Sequence, residues 1–348
     1  MTTAELELRA SPPPRYRPWL QRRIETSGLP LAAAGVAVAA LQLAAFFGWM
    51  ALGWAFGVGS AADDWFWREM VGPNVIMAAL IGWVPVAMTW SRRRAAAELD
   101  ALAPALGADA ARLRERFETF PRWPMALSGA VLAALVLPIV RFDPGMRAGF
   151  DQAHGFGRAW LLFVNAEVGW LVTRAVLEDL RVARIFRDAG QRLALPDLFD
   201  LALLQPFARR AAEGVLLGAV SAALLSLIFA GEGWASTTLP FLVALILVPT
   251  AVALALPLLG VHQRIQAAKR EELAGIHAAV RTERAALLAG GPGTRLPALL
   301  ALRAQVAEVR EWPLDLPAFA RLAGFLAIGL ASWVGAALVD VGLERVLR

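Results

Sequence analysis

The sequence contains no cysteine, one tyrosine and three histidines, and only 18% of its 348 residues are charged. Without cysteine there are no disulfides, no thiolate metal sites and no cysteine nucleophile. The histidines, His154, His262 and His277, are far apart, none has a partner four residues on, and no His-Glu-x-x-His is present. Zinc and haem ligation are therefore unsupported. Asp151-Gln-Ala-His154 would place a carboxylate and an imidazole one turn apart only if that loop were helical, and it reads as a solvated loop. There is no Gly-x-Ser-x-Gly elbow. Gly290-Gly-Pro-Gly-Thr294 lacks the Gly-Lys-Ser/Thr that holds phosphate, so it reads as a helix breaker. No cofactor, no metal and no enzymatic activity are expected. Lysine is nearly absent too, with Lys269 the sole example. No lysine in the last apolar segment could form a Schiff base, which excludes a retinal protein.

What is abundant is apolar surface. Hydrophobic residues make up 58% of the chain and mean hydropathy is +0.55, far from a soluble domain at about 45–50% apolar and about 25% charged. A membrane-crossing helix needs about 20 apolar residues. Seven segments qualify: 31–53, 70–90, 124–140, 159–177, 212–230, 239–259 and 322–339. The fourth is the weakest because it carries Glu167 and Arg174. The fold class expected is an all-α membrane protein with seven transmembrane helices and cytoplasmic helical loops.

The basic residues set the orientation. Net charge is +5, and with seven spans 27 of the 34 Lys and Arg residues fall on the N-terminal side of the membrane and 6 on the other, Arg321 lying at the boundary. Deleting the fourth span would reverse everything after it, so the positive-inside bias favours seven spans. The N-terminus is expected in the cytoplasm and the C-terminus outside. The arginines beside apolar segments are orienting charges, so no nucleic-acid partner is expected; the lipid bilayer is.

The same pattern divides the chain. A cytoplasmic arm (1–29) precedes transmembrane helices 1–2 (30–90), and a cytoplasmic helical loop (91–123) precedes helices 3–4 (124–177). A cytoplasmic or interfacial helix (178–210) follows, then helices 5–6 (211–259), a cytoplasmic hairpin (260–316), helix 7 (317–340) and an outer tail (341–348). The loop after Arg92 is expected as two short helices split near Pro104 or Gly107. Leu198, Leu201, Leu204 and Phe207 suggest an amphipathic helix lying in the membrane interface. In the hairpin, Ile265, Leu273, Ile276, Val280 and Leu287 form one apolar seam, and Leu299, Leu302, Val306 and Val309 form the other. The two helices are expected to pack on each other. Segment 261–312 is also where a second copy or a cytoplasmic protein partner would bind. Gly214, Gly218, Ala222 and Ser226, like Ala327, Ala331 and Gly335, are spaced for close helix packing.

Three stretches resemble a family of uncharacterised proteobacterial integral-membrane proteins. They are Leu195-Pro-Asp-Leu-Phe-Asp-Leu-Ala-Leu-Leu-Gln-Pro-Phe-Ala-Arg209, Val261-His-Gln-Arg-Ile-Gln-Ala-Ala-Lys-Arg-Glu-Glu-Leu273 and Glu311-Trp-Pro-Leu-Asp-Leu-Pro317. The resemblance covers roughly the C-terminal half. It implies a polytopic architecture in a bacterial inner membrane and brings no activity with it.

The remaining functional signal is polar residues inside the spans. A carboxylate at mid-membrane is costly and marks a site by default. Glu167 is such a residue, and on a helix Arg174, Glu178 and Arg181 follow it along one face toward the cytoplasm. Gln42, Asn74 and Asn165 are its candidate partners. This stripe is either a hydrated inlet with Glu167 as a proton or cation site, or a structural feature in which Glu167 bonds a neighbouring helix and Arg174 reaches the headgroups. Pro85, Pro138 and Pro249-Thr250 could break three other spans, as in transporters, but no repeat of the first half is visible in the second. Glu213 is expected to be solvated at the inner boundary. The leading expectation is a membrane scaffold, sensor or partner-binding subunit. The alternative is a channel or transporter for a proton, cation or small solute that uses Glu167.

Overall fold

The computed structural model describes residues 19–56, 61–119, 155–194, 198, 202–227, 238–290, 294–312 and 324, and for 61–69, 202, 225, 226 and 238–247 the backbone alone. All regular structure among the described residues is helical. The helices are α1 (Trp19–Thr26), α2 (Leu31–Ala55), α3 (Ala61–Leu106), α4 (Asp109–Glu118), α5 (Gly155–Arg192), α6 (Gln205–Leu227), α7 (Thr238–Leu288) and α8 (Leu296–Glu308), with a 3-10 turn at Ala202–Leu204 before α6. Four of them, α2, α3, α5 and α7, are long and apolar enough to cross a membrane. The weakest of the expected spans, 159–177, is thus helical and of sufficient length. Residues 212–227 of the expected fifth span lie in α6, a helix of 23 residues, and 228–230 lie outside the described residues. The expected third and seventh spans, His154 and the small residues 327, 331 and 335 lie outside the described residues.

Three helices do not stop where their apolar segments stop. α3 has 46 residues, α5 has 38 and α7 has 51. At 1.5 Å per residue these are about 69, 57 and 77 Å long, against about 30 Å of hydrocarbon. The loop expected after Arg92 is therefore not a separate pair of helices. Its first half is the end of α3, and the chain turns only at Gly107, whose φ of 55° suits glycine, before entering α4. Pro85 and Pro249 lie inside continuous helices and do not break them. Likewise the first arm of the hairpin is the end of α7.

Because the helices run on, they build two cores. The first gathers Phe46 from α2, Leu80, Ile81, Val84 and Met88 from α3, and Trp160, Val164, Val168 and Leu171 from α5. It coincides with the apolar segments. The second lies at the arginine-rich end and joins Leu99 and Leu102 of α3, Phe117 of α4, Ile185 and Phe186 of α5, Phe207 of α6, Val261 and Ile265 of α7, and Val306 of α8. Phe186 and Phe207 meet edge to face at 5.9 Å. Of the expected amphipathic segment, Leu201 lies outside the described residues, whereas Leu198, Leu204 and Phe207 belong to this second core and residues 202–204 form a 3-10 turn. They do not form an interfacial helix facing lipid, because the extended ends of α3, α5 and α7 cover them.

Close backbone approach sets the helix crossings. A Cβ on Gly260 would lie 2.2 Å from the Arg187 carbonyl oxygen, and one on Gly190 would lie 2.8 Å from the Val261 nitrogen, so α5 and α7 touch through their glycines. Gly35 and Gly82 do the same for α2 and α3, where a Cβ on Gly82 would lie 2.5 Å from the Gly35 oxygen. Gly218 packs under Thr250, placing the small-residue face of α6 against α7 within the chain.

Candidate functional site

Between the two cores lies a layer of buried charge, built where the apolar part of each long helix ends. Arg92 of α3 pairs with Glu178 of α5 at 3.2 Å, their side chains only 10% and 7% exposed. The Arg92 guanidinium also sits 5.0 Å from the Phe117 ring centroid. Arg210 of α6, 2% exposed, donates to Ser91 Oγ at 2.6 Å and pairs with Asp179. Arg94 donates to Glu213 Oε1 at 2.9 Å. Glu213 is thus buried and paired between α3 and α6, not solvated at a boundary as its position in sequence suggested. Such pairs need good geometry, since removing two charges from water is expensive and an unpaired survivor costs more still.

Glu98, one turn beyond Arg94 on α3, joins this layer without an ion pair of its own. Its Oε2 is buried with no hydrogen-bond partner. Burial and the neighbouring Glu213 carboxylate, against the opposing pull of Arg210, Arg94 and Arg209, raise its pKa to about 7.

The five residues singled out in sequence occupy the first core and its edge. Gln42 of α2 approaches Glu167 of α5, although neither Gln42 Nε2 nor Glu167 Oε2 closes a hydrogen bond. Asn74 is engaged elsewhere: its Oδ1 accepts from Trp160 Nε1 at 2.7 Å and its Nδ2 donates to the Met70 carbonyl. Asn165 donates back to the Leu161 carbonyl of its own helix. Arg174 is buried, with its guanidinium 5.3 Å from the Trp170 ring centroid, and lies close enough to Glu178 to act on its charge. The structure therefore brings Glu167 together with Gln42 and leaves Asn74 with Trp160. Further along the stripe, Glu178 is held by Arg92, and Arg181 donates to the carbonyls of Arg116 and Thr119.

Next to the charged layer the described residues line a half-open cavity of about 110 Å³. Its walls are mostly apolar side chains of α3, α5 and α6, among them Leu80, Val84, Val172, Val176 and Leu217, with Pro249 of α7 and the hydroxyl residues Ser221 and Thr250. One end is polar and carries Ser91, Arg92, Glu178, Asp179 and Arg210. Neither Glu167 nor Gln42 lines it. Sequence reasoning counted Arg92 and Arg210 only among the orienting charges and did not single out Asp179. The signal that could have found them is the helical spacing of Arg92 and Glu178 relative to the apolar faces of α3 and α5, visible once both helices are continued past the membrane.

Described residues of the first two stretches carrying the family resemblance meet in the second core, and the two described residues of the third, Glu311 and Trp312, lie against α7. Leu198, Leu204 and Phe207 pack with Val261 and Ile265. Trp312 stacks on His262 with centroids 4.3 Å apart, and His262 Nδ1 lies 3.0 Å from the Glu311 carbonyl. Gln266 and Lys269 donate to the two Glu311 carboxylate oxygens at 2.9 and 3.3 Å. These donors, Gln266 foremost, hold the Glu311 carboxyl below the usual carboxylate range. Glu311-Trp312 is thus clasped onto the outer face of α7, and it fixes the chain just beyond α8.

Four apolar helices of crossing length make this an all-helical membrane protein, as far as the described residues extend. Comparison with family models, curated proteins and solved structures returns no match. Among the described residues no cluster of three or more His, Asp or Glu side chains could hold a metal ion.

Proposed function

We propose that the chain is a seven-span protein of the bacterial inner membrane, with its N-terminus in the cytoplasm and its C-terminus outside. In this reading it serves as a scaffold, sensor or partner-binding subunit whose working surface is the cytoplasmic body around 261–312. The observation that carries this reading is continuity. α3 and α5 pass without interruption from the first core into the second, and the buried Arg92–Glu178 pair joins them where they cross between the two. A body built on such helices moves with the membrane part, whereas a body on flexible loops would be uncoupled from it. The transport reading needs a polar route to Glu167, and the cavity beside the charged layer has mostly apolar walls and excludes Glu167.

Two measurements on the full-length protein test this. A photocrosslinking residue at His277 or Leu300, both on the exposed outer faces of α7 and α8, is expected to yield a discrete protein adduct in cells. The adduct should persist in Glu167→Gln. Proton or cation flux in reconstituted vesicles that Glu167→Gln abolishes would overturn the reading in favour of transport.

A further inference from the structure

Where α3 crosses α6, the charged layer holds more carboxyl groups than it pairs. Arg94 of α3 donates to Glu213 Oε1 at 2.9 Å, and Arg210 of α6 lies 3.8 Å from Glu213 Oε2. Arg210 is itself committed to Ser91 and to Asp179 of α5. Glu98 stands beside them with no ion pair among the described residues, and the Oε2 atoms of both Glu98 and Glu213 are buried without a hydrogen-bond partner. The charges that act on Glu98 are Glu213, Arg210 and Arg209 of α6 and Arg94 of its own helix. Of these, Arg209 donates to Gln205 one turn back. Toward α4, Asp100 and Arg114 pair with each other.

Arg94 is the member of this cluster that can move. The Glu213 side chain is 7% exposed, whereas that of Arg94 is 57% exposed, so its guanidinium can turn without first leaving a dry site. Arg94 and Glu98 are four residues apart on the continuous α3, which puts their side chains on one face in adjacent turns. That Arg94 holds Glu213 and leaves Glu98 alone fits a Glu98 that carries a proton, because a neutral carboxyl needs no counter-ion. Burial and the Glu213 charge favour that proton up to about pH 7. Once ionised, Glu98 is a half-buried anion beside another anion, and leaving it unpaired is costly. Glu213 keeps Arg210 close by after Arg94 has turned away.

We propose that Arg94 is a proton-controlled latch between α3 and α6, held by Glu213 while Glu98 carries a proton and drawn to Glu98 when that proton leaves. Protonation ties α3 to α6 and deprotonation releases that tie, with Arg210 and Asp179 still joining α6 to α5. The latch does not depend on the scaffold reading, because it requires only the packing of α3 on α6.

Double-mutant cycles on the full-length protein in one detergent, read by thermal unfolding at pH 6 and pH 8.5, test this. At pH 6, R94Q and E213Q are expected to lower the melting temperature non-additively, with a coupling of roughly 2–4 °C, and at pH 8.5 their effects should simply add. The coupling of R94Q with E98Q should do the reverse, absent at pH 6 and present at pH 8.5. In the E98Q background the Arg94–Glu213 coupling should persist at pH 8.5, because glutamine cannot ionise. The Arg94–Glu98 cycle changes only an exposed and a half-buried side chain, so it decides the matter even where E213Q does not fold. A Glu98 that titrates without moving Arg94 would leave the Arg94–Glu213 coupling equal at both pH values. That result overturns the proposal, as does an Arg94–Glu98 coupling that ignores pH, or an E98Q effect at pH 8.5 that couples to R209Q and not to R94Q.

Discussion

Gly260 and Gly275 stand on the same helix, and alanine at the two positions is expected to act in opposite directions. At Gly260 the new methyl would press on the Arg187 backbone of α5, which cannot give way without parting the helices. Overpacking of this kind costs about 1–3 kcal/mol. At Gly275 nothing lies within 4 Å, so the change only restores helix propensity and should stabilise by about 0.5–1 kcal/mol. Thermal unfolding of Gly260→Ala and Gly275→Ala in one detergent reads both signs, and equal shifts would contradict the close crossing. Glu98 makes a different prediction. Its folded carboxyl titrates near 7, while in the unfolded chain it returns to about 4.5. The folded state therefore keeps a proton that the unfolded state has released. Stability from this group is highest below about pH 4.5, falls as pH rises to about 7, and is level above it. Glu98→Gln should flatten that slope in unfolding measurements between pH 5 and 8. An unchanged slope would assign it to another group.

The hairpin shows how two apolar positions with the same helical spacing can differ in weight. Val306 is fully buried in the second core, whereas Leu273 is half-buried at its edge. A charge at the first position has no solvent to turn to, so Val306→Asp should cost upwards of about 3 kcal/mol and Leu273→Asp about 1 kcal/mol. Limited proteolysis at the turn after Leu288 should then be much faster for Val306→Asp than for Leu273→Asp. Similar rates would mean that α8 does not rest on the second core. The seam was legible in part: Ile265 and Ile276, about three turns apart on α7, are buried, as is Val306 on α8, whereas Leu287 is exposed. The continuity of α3 and α7 was not. A hydropathy run ends at the first arginines, but arginine, alanine, glutamate and leucine are good helix formers. The end of a membrane segment and the end of a helix are different boundaries.

Taken whole, the molecule has an apolar core, a charged layer and a second core stacked along shared helices. Its proposed orientation gives a direct check. A reporter inserted after Gly291 should be active only on the cytoplasmic side, and one fused after Arg348 only on the outer side, because the basic residues divide 27 to 6 between the faces. A cytoplasmic C-terminus would overturn the count of seven. The charged layer also explains why the second core is expected to follow the membrane part as one body. Arg92–Glu178 joins α3 to α5 and Arg210–Asp179 joins α6 to α5, and the loss of Glu178 or Asp179 would leave a buried guanidinium unpaired.

Composition was enough to establish a helical membrane protein: long apolar runs leave a backbone in hydrocarbon little choice but to bond within itself. Periodicity was enough to mark the hairpin seam, since side-chain facing along a helix depends on local geometry alone. Pairing was another matter. Whether Asn74 meets Glu167 or Trp160, and whether Glu213 meets water or Arg94, depends on the rotation and crossing of helices distant in sequence. Those crossings are governed by contacts such as Gly260 against Arg187 and Gly35 against Gly82, which join helices far apart in the chain. The cavity and its charged end arise from four helices at once, and no single segment carries their signature.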